Sequence, residues 1–382
     1  MKYCNRNIEV FFLLVRVGLF GRTEGAESIL LDDVDWNEVH RLALEQSVTG
    51  LLAEGIETLQ RQPESADLGT RITQMMPEDW AFQLATEMMY LEQSNQAMNK
   101  FVASLTGKLR KRGIDAVLLK GQGVAQYYEK PLWRTCGDID LLLSSDNFVK
   151  AKDFLLHYAS SAGTENPYKK HFDMSISRWT VELHGSLRCG FSARVDRELD
   201  NIFDNTFHDG HVTTWMDRTV PVYMLGRENN VLYVFAHFLN HFYKKGVGIR
   251  QICDWSRLLW SFRDTIDTAV LGTRLKSMGL MSEWRAFGAY AVEYLGMPEE
   301  AIPFYADKER WKRKARRIQQ FILKTGNMGH NRKKTTEHVS LLTRKLKSGR
   351  QRLCDLTNHL MIFPLDTVRF MPSIFLNGLR QK

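Results

Sequence analysis

Cysteine is sparse in this chain of 382 residues, and its five cysteines are widely separated. None of them belongs to a Cys-x-x-Cys pair. Zinc sites and disulfide frameworks depend on close or regularly spaced cysteines, so neither is indicated. This usage of cysteine favours a reducing, cytoplasmic setting.

Long apolar runs, internal repeats and low-complexity stretches are also missing. The most apolar segment near the start, 8–15, contains Glu9, is followed by Arg16 and is too short to span a bilayer. No small-x-small cleavage site follows it, so an amphipathic helix packed on the body is expected rather than a signal peptide. No transmembrane segment is expected elsewhere. The Walker pattern GxxxxGK[ST] is absent too, which excludes a P-loop.

What the chain does contain is apolar, aromatic and basic. Hydrophobic residues make up 44% of it, and nine tryptophans and twenty-one phenylalanines argue against long disorder. The length allows two or three structural units with a sizeable core. The formal net charge of +8 favours anionic partners such as nucleotides, nucleic acid, phosphorylated sugars or an anionic membrane surface.

Helical periodicity dominates the first part of the sequence. One helix is expected over 36–59 with Asp35 as its N-cap, followed by a linker at 62–69. A second, longer helix is expected over 78–112, ending at Gly113. An N-terminal helical region therefore covers 1–112.

The helical periodicity ends at Gly113. Short strand-like runs replace it up to Met224, and helical periodicity then returns. Short apolar or alternating runs predict strands, and Ser145 begins a helix running to about Tyr158. Two of the strand pairs are expected to be hairpins. We expect an α/β core over 113–226 with strands at 116–119, 139–143, 174–177, 181–187, 212–215 and 220–224.

A C-terminal helical region is expected over 227–382. Its helices are predicted at 231–243, 252–262 and 282–295. The fold class is therefore α+β, a small mixed-sheet core flanked by N- and C-terminal helices.

Two aspartates stand where a wholly apolar strand begins. Asp138 and Asp140 are one residue apart, so both carboxylates leave the same face of the strand while Ile139 and Leu141 face the core. Paired carboxylates repel each other unless a divalent cation lies between them, and their hard oxygen atoms suit Mg²⁺ or Mn²⁺. Asp-x-Asp is common in loops, but its place at the start of an apolar strand favours a metal site.

A third acidic residue is available in the strand that follows. Glu182 and His184 alternate with Val181 and Leu183, so they share one face. If this strand lies beside that of Asp138, Glu182 reaches the same metal ions. A solvated carboxylate on the sheet surface is the alternative.

Four residues around the first strand and the aspartates are candidates for phosphate binding. Lys120 adds positive charge at the turn, and Gly121 leads into a helix N-terminus whose N–H groups suit phosphate. Arg134 is a further cationic candidate, and Gly137 permits close approach of backbone or substrate. Each basic residue is also compatible with a plain surface charge.

These motifs together resemble a known family. Leu118 to Gly121, Arg134, Gly137 to Leu142 and Val181 to His184 are similar to the uncharacterised bacterial nucleotidyltransferase family of the polymerase-beta-like superfamily. The resemblance extends over most of the chain, and its motifs lie at about 116–187. Where that superfamily has Gly-Gly or Gly-Ser after its first strand, this sequence has Gly121 and Gln122 and a longer insertion before Asp138.

The resemblance implies a two-metal mechanism. Asp138 and Asp140 are then the first two metal ligands and Glu182 the third. The metals position a nucleoside triphosphate, an acceptor hydroxyl attacks its α-phosphorus, and pyrophosphate leaves. The third carboxylate can also assist deprotonation of the acceptor hydroxyl.

A second polar cluster lies in the C-terminal helices. His237 and His241 are spaced i, i+4, as are Arg250 and Asp254, so each pair shares a helical face. With His184 they are candidates for a substrate pocket, for which the resemblance includes similar positions. Hydrogen bonds between helices are the alternative, and no third ligand at a fitting spacing supports zinc.

A basic stretch over 308–352 accounts for the positive balance of the chain. It fits a nucleic-acid backbone, an anionic lipid or a glycan-phosphate carrier, or only a solvated helix face. It contains Lys308, Arg310, Lys312, Arg313, Lys314, Arg316, Arg317, Arg332, Lys333, Lys334, Arg344, Lys345, Lys347, Arg350 and Arg352, among others.

The sequence thus predicts an enzyme that transfers a nucleoside monophosphate from a triphosphate, ATP among the candidates, to a hydroxyl or phosphate acceptor. The acceptor is a small molecule, a glycan precursor, a protein or RNA. A catalytically silent nucleotide-binding or scaffold protein and an RNA-binding module are the alternatives. The base preference, the acceptor and the oligomeric state are left open.

Overall fold

A mixed sheet flanked by helices from both ends of the chain forms the protein, as the sequence predicts. The computed structural model describes residues 3–167, 170–244, 246–327 and 354–380. The sheet has seven strands in the order β3-β4-β5-β2-β1-β7-β6. These strands are β1 (Ala116–Leu119), β2 (Asp138–Leu143), β3 (Ala159–Ala162), β4 (His171–Ile176), β5 (Trp179–His184), β6 (Val212–Asp217) and β7 (Val220–Leu225).

Two parallel pairings lie inside this sheet. β2 is parallel to β5 and β1 is parallel to β7, while β1 and β2 run antiparallel to each other. The hairpins β4–β5 and β6–β7 are antiparallel, as predicted. The central strands β2 and β1 therefore lie between two hairpins.

Helices of the N-terminal region form the first layer. Asp35 caps its helix as predicted, accepting hydrogen bonds from the backbone of Asn37 and Glu38. The single helix expected over 36–59 is two helices, because Ser47 adopts a left-handed conformation with φ of 56°. The expected linker 62–69 is a short 3-10 turn and the start of another helix. These helices are α1 (Tyr3–Phe20), α2 (Trp36–Gln46), α3 (Thr49–Arg61), α4 (Ala66–Met75) and α5 (Glu78–Arg110).

The remaining helices lie between the strands and after the sheet. Among the described residues, no helix combines the length and apolarity needed to cross a membrane. The predicted helices at 231–243, 252–262 and 282–295 are all present. The set is α6 (Gly121–Ala125), α7 (Ser145–Leu156), α8 (Ala193–Phe207), α9 (Arg227–Lys244), α10 (Ile249–Phe262), α11 (Thr268–Met278), α12 (Met281–Leu295), α13 (Glu309–Thr325), α14 (354–362) and α15 (Pro364–Arg380).

The sheet separates two hydrophobic cores. On one face, Ile139 and Leu141 of β2 pack with residues of α5 and α7 such as Val102 and Phe148. On the other face, Leu142 belongs to a larger core shared with the N- and C-terminal helices. Because strand side chains alternate, Asp138 and Asp140 lie on the face of Leu142, toward the helical body.

The larger core extends along most of the chain. It includes residues from Val10 in α1 to Phe370 in α15. Most of α1 is buried, including every residue of 10–15, so the segment is a packed helix as expected. The division into regions 1–112, 113–226 and 227–382 stays a prediction.

Candidate active site

The strand registers bring the three predicted acidic residues together. Asp140 lies directly beside Glu182 in the parallel pair of β2 and β5, and Leu119 lies opposite Asp140 on β1. One carboxylate oxygen from each of Asp138, Asp140 and Glu182 lies within 4.8 Å of the others. The sequence predicts this cluster only if β2 and β5 are neighbours, and in the sheet they are neighbours.

Asp140 is the buried centre of the cluster, with a side chain that is 1% exposed. Its Oδ1 atom lies 3.0 Å from the Lys120 ammonium and 2.8 Å from Nε2 of His184. Burial alone would raise the pKa of Asp140, but the charge of Lys120 and the hydrogen bond to His184 hold it below its usual value. Asp140 is therefore kept as a carboxylate.

The other two carboxylates differ in their surroundings. Hydrogen bonds with His171 and then His184 lower the pKa of Glu182. Asp138 is exposed along one side. Even so, the surrounding protein removes part of the solvation of its carboxylate, and this loss and then the negative charge of Asp140 raise the pKa of Asp138. The positive charges of Lys120 and Arg250 oppose that rise. Asp138 is thus the solvent-facing end of the cluster.

Lys120 reaches Asp140 from a strained turn at the end of β1. Its φ is 43°, a region that non-glycine residues enter at a cost of about 1–3 kcal/mol, usually at functional sites. Gly121 follows with φ of 47°, and a Cβ there would lie 3.1 Å from the Cys136 sulfur. The turn therefore lies tightly against the segment that leads into β2.

The predicted pocket histidines of α9 extend this cluster. Nε2 of His237 lies 3.4 Å from the Lys120 nitrogen, and Nε2 of His241 lies 2.9 Å from that of His237. A continuous row of polar groups therefore leads from Asp140 through Lys120 to α9. Sequence reasoning placed the two histidines on one helical face but had no means of placing them beside Lys120.

Arg134 and Asp254 contact each other rather than the carboxylate cluster. The Arg134 guanidinium donates to both Asp254 oxygens over 2.7 and 2.6 Å, and both side chains are buried. The Tyr128 hydroxyl donates to Asp254 over 2.7 Å. This pair fastens the segment before Asp138 to α10, and the phosphate and pocket roles predicted for the two residues stay predictions.

Arg250 and Gly137 lie nearer to the acidic cluster. Nη1 of Arg250 donates to the backbone oxygen of Thr135 over 2.8 Å, while its buried Nε has no hydrogen-bond partner within the described ranges. At Gly137 no atom of the described residues lies within 4 Å of the position of an added Cβ, so these residues leave the space beside it open. Both arrangements are compatible with a ligand close to Asp138.

Three site residues were missed by sequence reasoning. His171 lies at the start of β4, three residues before the predicted strand, and its Nε2 is 3.0 Å from Glu182. Asn95 of α5 donates to the backbone oxygens of Leu132 and Arg134, and Gln122 donates to Asn95. The alternation of polar and apolar residues over 171–176 was the available signal for His171.

The donor set fits a hard divalent cation. Oxygen ligands from three carboxylates are what Mg²⁺ and Mn²⁺ prefer, and Asp138 leaves one side of the cluster open to solvent. The buried Asp140 carboxylate also requires a compensating positive charge, since an unpaired buried charge is very costly. Lys120 supplies that charge in this structure.

Comparison with known proteins gives one result. No curated protein and no solved structure matches the chain. A family model described as an uncharacterised nucleotidyltransferase matches residues 32–296, which include the acidic cluster and the basic and histidine residues around it. The chain therefore belongs to this nucleotidyltransferase family.

Proposed function

We propose that the protein is a metal-dependent nucleotidyltransferase that transfers a nucleoside monophosphate from a nucleoside triphosphate to a hydroxyl or phosphate acceptor, releasing pyrophosphate. The observation that carries the proposal is the clustering of Asp138, Asp140 and Glu182 on two adjacent parallel strands. Membership of the family supports nucleotidyl transfer in general.

Asp138, Asp140 and Glu182 would hold Mg²⁺ or Mn²⁺. A bound divalent ion supplies charge neutralisation for the triphosphate and orients its α-phosphoryl group. Lys120 contacts Asp140, and the charge of Arg250 acts on Asp138, so both add positive charge next to the carboxylates, where the phosphates would lie. Gly121 and Gly137 would allow the phosphates to approach the backbone.

The reaction is a substitution at phosphorus. The acceptor oxygen forms a bond to the α-phosphorus while the bond from that phosphorus to the bridging oxygen of pyrophosphate breaks. In this proposal Glu182, the half-buried member of the cluster, accepts the proton of an acceptor hydroxyl. His184, which contacts Asp140, and the pair His237 and His241, which reaches Lys120, would border the acceptor or nucleoside side of the site.

The sharpest test is ligand-dependent thermal stability. The purified protein is melted with each of the four nucleoside triphosphates, with and without Mg²⁺. A ligand that binds only the folded state raises the melting temperature by mass action. We expect a Mg²⁺-dependent rise with at least one nucleotide, and we expect Asp138→Asn/Asp140→Asn to remove it.

The exposed Asp115→Asn is the matched control and is expected to keep the rise. A rise retained in the double variant would contradict the metal assignment. No rise with any nucleotide, together with no pyrophosphate release in the presence of candidate acceptors, would favour a silent scaffold.

RNA binding through the basic stretch stays an alternative, and three basic side chains in the described part of that stretch have partners within the protein. Lys312 pairs with Asp307 and Arg316 with Glu309, and Arg317 donates to a backbone oxygen. These α13 side chains are engaged within the protein. The predicted basic residues between Arg332 and Arg352 lie outside the described residues.

The proposal includes a cytoplasmic location. Its support is the cysteine usage, since the cysteines are widely separated in the sequence and Cys136, Cys253 and Cys354 are free thiols.

A further inference from the structure

A second set of potential metal ligands adjoins the acidic cluster. In the antiparallel pair of β4 and β5, His171 lies directly opposite His184, and Glu182 lies on the same face of β5. One ligand atom from each of the three residues lies within 4.8 Å of the other two. Two imidazoles and one carboxylate therefore converge on one point beside the all-oxygen cluster.

The distances suit a small ion with nitrogen ligands. Nε2 of His171 lies 3.0 Å from Oε2 of Glu182, and Nε2 of His184 lies 3.6 Å from the same oxygen. Ligands about 2.0–2.1 Å from a tetrahedral Zn²⁺ ion are separated from one another by roughly 3.3 Å. The two observed separations lie on either side of that value, and the third, between the two imidazoles, is at most 4.8 Å.

Burial and neighbouring groups also fit such a site. The His171 side chain is 29% exposed, that of Glu182 is 25% exposed and that of His184 is 15% exposed. One side of the three is therefore accessible to a water molecule or substrate. Nε2 of His184 lies 2.8 Å from Oδ1 of Asp140, so a carboxylate already borders the same point. A site with three protein ligands and one open position is the arrangement of catalytic rather than structural zinc.

The chemistry of the donors separates this set from its neighbour. Imidazole nitrogen favours zinc and similar transition metals, whereas Mg²⁺ prefers an octahedral shell of oxygen ligands. We propose that His171, Glu182 and His184 bind a transition-metal ion of the Zn²⁺ class. Glu182 is shared with the Asp138–Asp140 site, so that the centre holds two unlike ions.

The sharing of Glu182 rests on the proposed function, whereas the His171–Glu182–His184 site stands on its own contacts. An ion held there would lie on the side of Glu182 away from Asp138. It would bind a water or an acceptor hydroxyl at its open position, next to the Mg²⁺ or Mn²⁺ site that we propose at Asp138 and Asp140. The acceptor class that fits is an alcohol or phosphate able to coordinate a transition metal through oxygen.

The test uses the full-length protein without nucleotide. Metal-depleted protein is dialysed against Zn²⁺, bound metal is measured by atomic emission, and the Co²⁺-loaded protein is examined by visible absorption. We expect tightly bound Zn²⁺ in the unaltered protein and the intense visible bands of four-coordinate Co²⁺. His171→Ala is expected to weaken Zn²⁺ binding by more than about 100-fold, since even outer-shell partners of ligands contribute about 10–100-fold.

A further variant and a control distinguish binding of the metal by His171 from orientation of Glu182 by His171. His171→Gln keeps a hydrogen-bond donor toward Glu182 but is a poor zinc ligand, so it should lose the metal as His171→Ala does. His157→Ala is the control, because His157 is exposed and contacts the backbone of its own helix. Thermal melts of each variant verify that the fold is retained.

Several results would overturn the proposal. They are Zn²⁺ affinity in His171→Gln equal to that of the unaltered protein, the pale spectrum of six-coordinate Co²⁺, or no tight Zn²⁺ binding at all. None of these results depends on nucleotide, so they would leave the nucleotidyltransferase proposal standing. The converse result is a protein that binds Zn²⁺ through His171 but is not stabilised by any nucleotide. That result would refute the proposed function and leave the zinc site standing.

Discussion

Two arginine–aspartate pairs in the molecule share a bidentate geometry but differ in burial. Arg134 donates to Asp254 over 2.7 and 2.6 Å with side chains 5% and 8% exposed. Arg188 donates to Asp200 over the same two distances with side chains 46% and 36% exposed. The pairs therefore isolate the effect of the surroundings on an ion pair of constant geometry.

Removing the buried arginine is expected to be far more destabilising. Arg134→Ala leaves Asp254 buried without its counter-charge, and breaking such a pair costs about 3–5 kcal/mol. Arg188→Ala breaks a solvated pair worth about 0–1 kcal/mol. Urea unfolding of both variants measures the difference, and equal losses would show that the Arg134 pair is not a buried one in solution.

At the residue scale, the sequence indicates individual site candidates more readily than the residues that they contact. Asp138, Asp140 and Glu182 were identified because carboxylates interrupt apolar strands. Arg250 and Asp254 share a helical face as expected, yet the partner of Asp254 is Arg134, 120 positions earlier. Periodicity within a helix carries no information about a partner so distant in sequence.

At the scale of elements, α1 and α3 approach each other closely. A Cβ at Gly18 would lie 2.0 Å from the Leu51 backbone oxygen, and one at Gly55 would lie 2.1 Å from that of Leu14. The two glycines thus allow the helix backbones to touch. Gly107 lies in α5, and within the part of the chain that the structure describes only Val220 comes near its added Cβ, at 3.8 Å.

This contrast predicts opposite effects for the same substitution. Gly55→Ala must push α1 and α3 apart, and overpacking of this kind costs about 1–3 kcal/mol or more. Gly107→Ala meets no obstacle and should stabilise its helix by about 0.5–1 kcal/mol. Thermal melts followed by circular dichroism measure both, and a stabilised Gly55→Ala would show that the helices are not in backbone contact.

Elements were predictable where apolar patterning was strong. The bounds of β1 match the prediction, and β2 begins one residue early, at Asp138. β3 was missed because Ala159 to Ala162 alternates no large apolar side chains and lies at the sheet edge. The division between α2 and α3 was missed because Ser47 is neither glycine nor proline, so nothing marked its left-handed conformation in advance.

At the scale of the whole molecule, helices from three parts of the chain meet around a buried acid. Glu283 of α12 is fully buried, accepts a hydrogen bond from the Tyr243 hydroxyl of α9 over 3.0 Å, and faces Asp366 of α15 and Lys314 of α13. Burial and then the charge of Asp366 raise the pKa of Glu283 to about 8. Its ionisation therefore opposes folding.

The sign of the pH dependence follows. An unfolded glutamate ionises near pH 4.5, so Glu283 lowers the free energy of unfolding progressively as the pH rises from there to about 8. Glu283→Gln keeps an acceptor for Tyr243 without a charge. We expect it to be more stable than the unaltered protein by a few kcal/mol at about pH 9 and nearly equal to it at about pH 4.5.

Urea unfolding at several pH values measures this difference, with the exposed Glu300→Gln as control. Because each variant is compared with the unaltered protein at the same pH, the other titrating groups cancel. A difference that does not grow with pH would contradict the burial of an uncharged Glu283.

The global arrangement was the least predictable from sequence. The fold class and the flanking helices followed from local patterns. The adjacency of β2 and β5, which unites Asp140 with Glu182, joins strands about forty positions apart and was supported only by resemblance to a family. The position of His237 above Lys120 depends on how α9 packs against the sheet, which no local pattern specifies.

Lys120 gives the site a resident counter-ion. Since its ammonium already balances the buried Asp140, the carboxylates can assemble during folding before any dissolved ion arrives. The protein should then survive extraction with a chelator, keep its cooperative thermal transition, and accept different cations afterwards by simple dialysis. A metal centre of the proposed kind would then be emptied and refilled without unfolding the protein, so that different cations could be compared in one preparation.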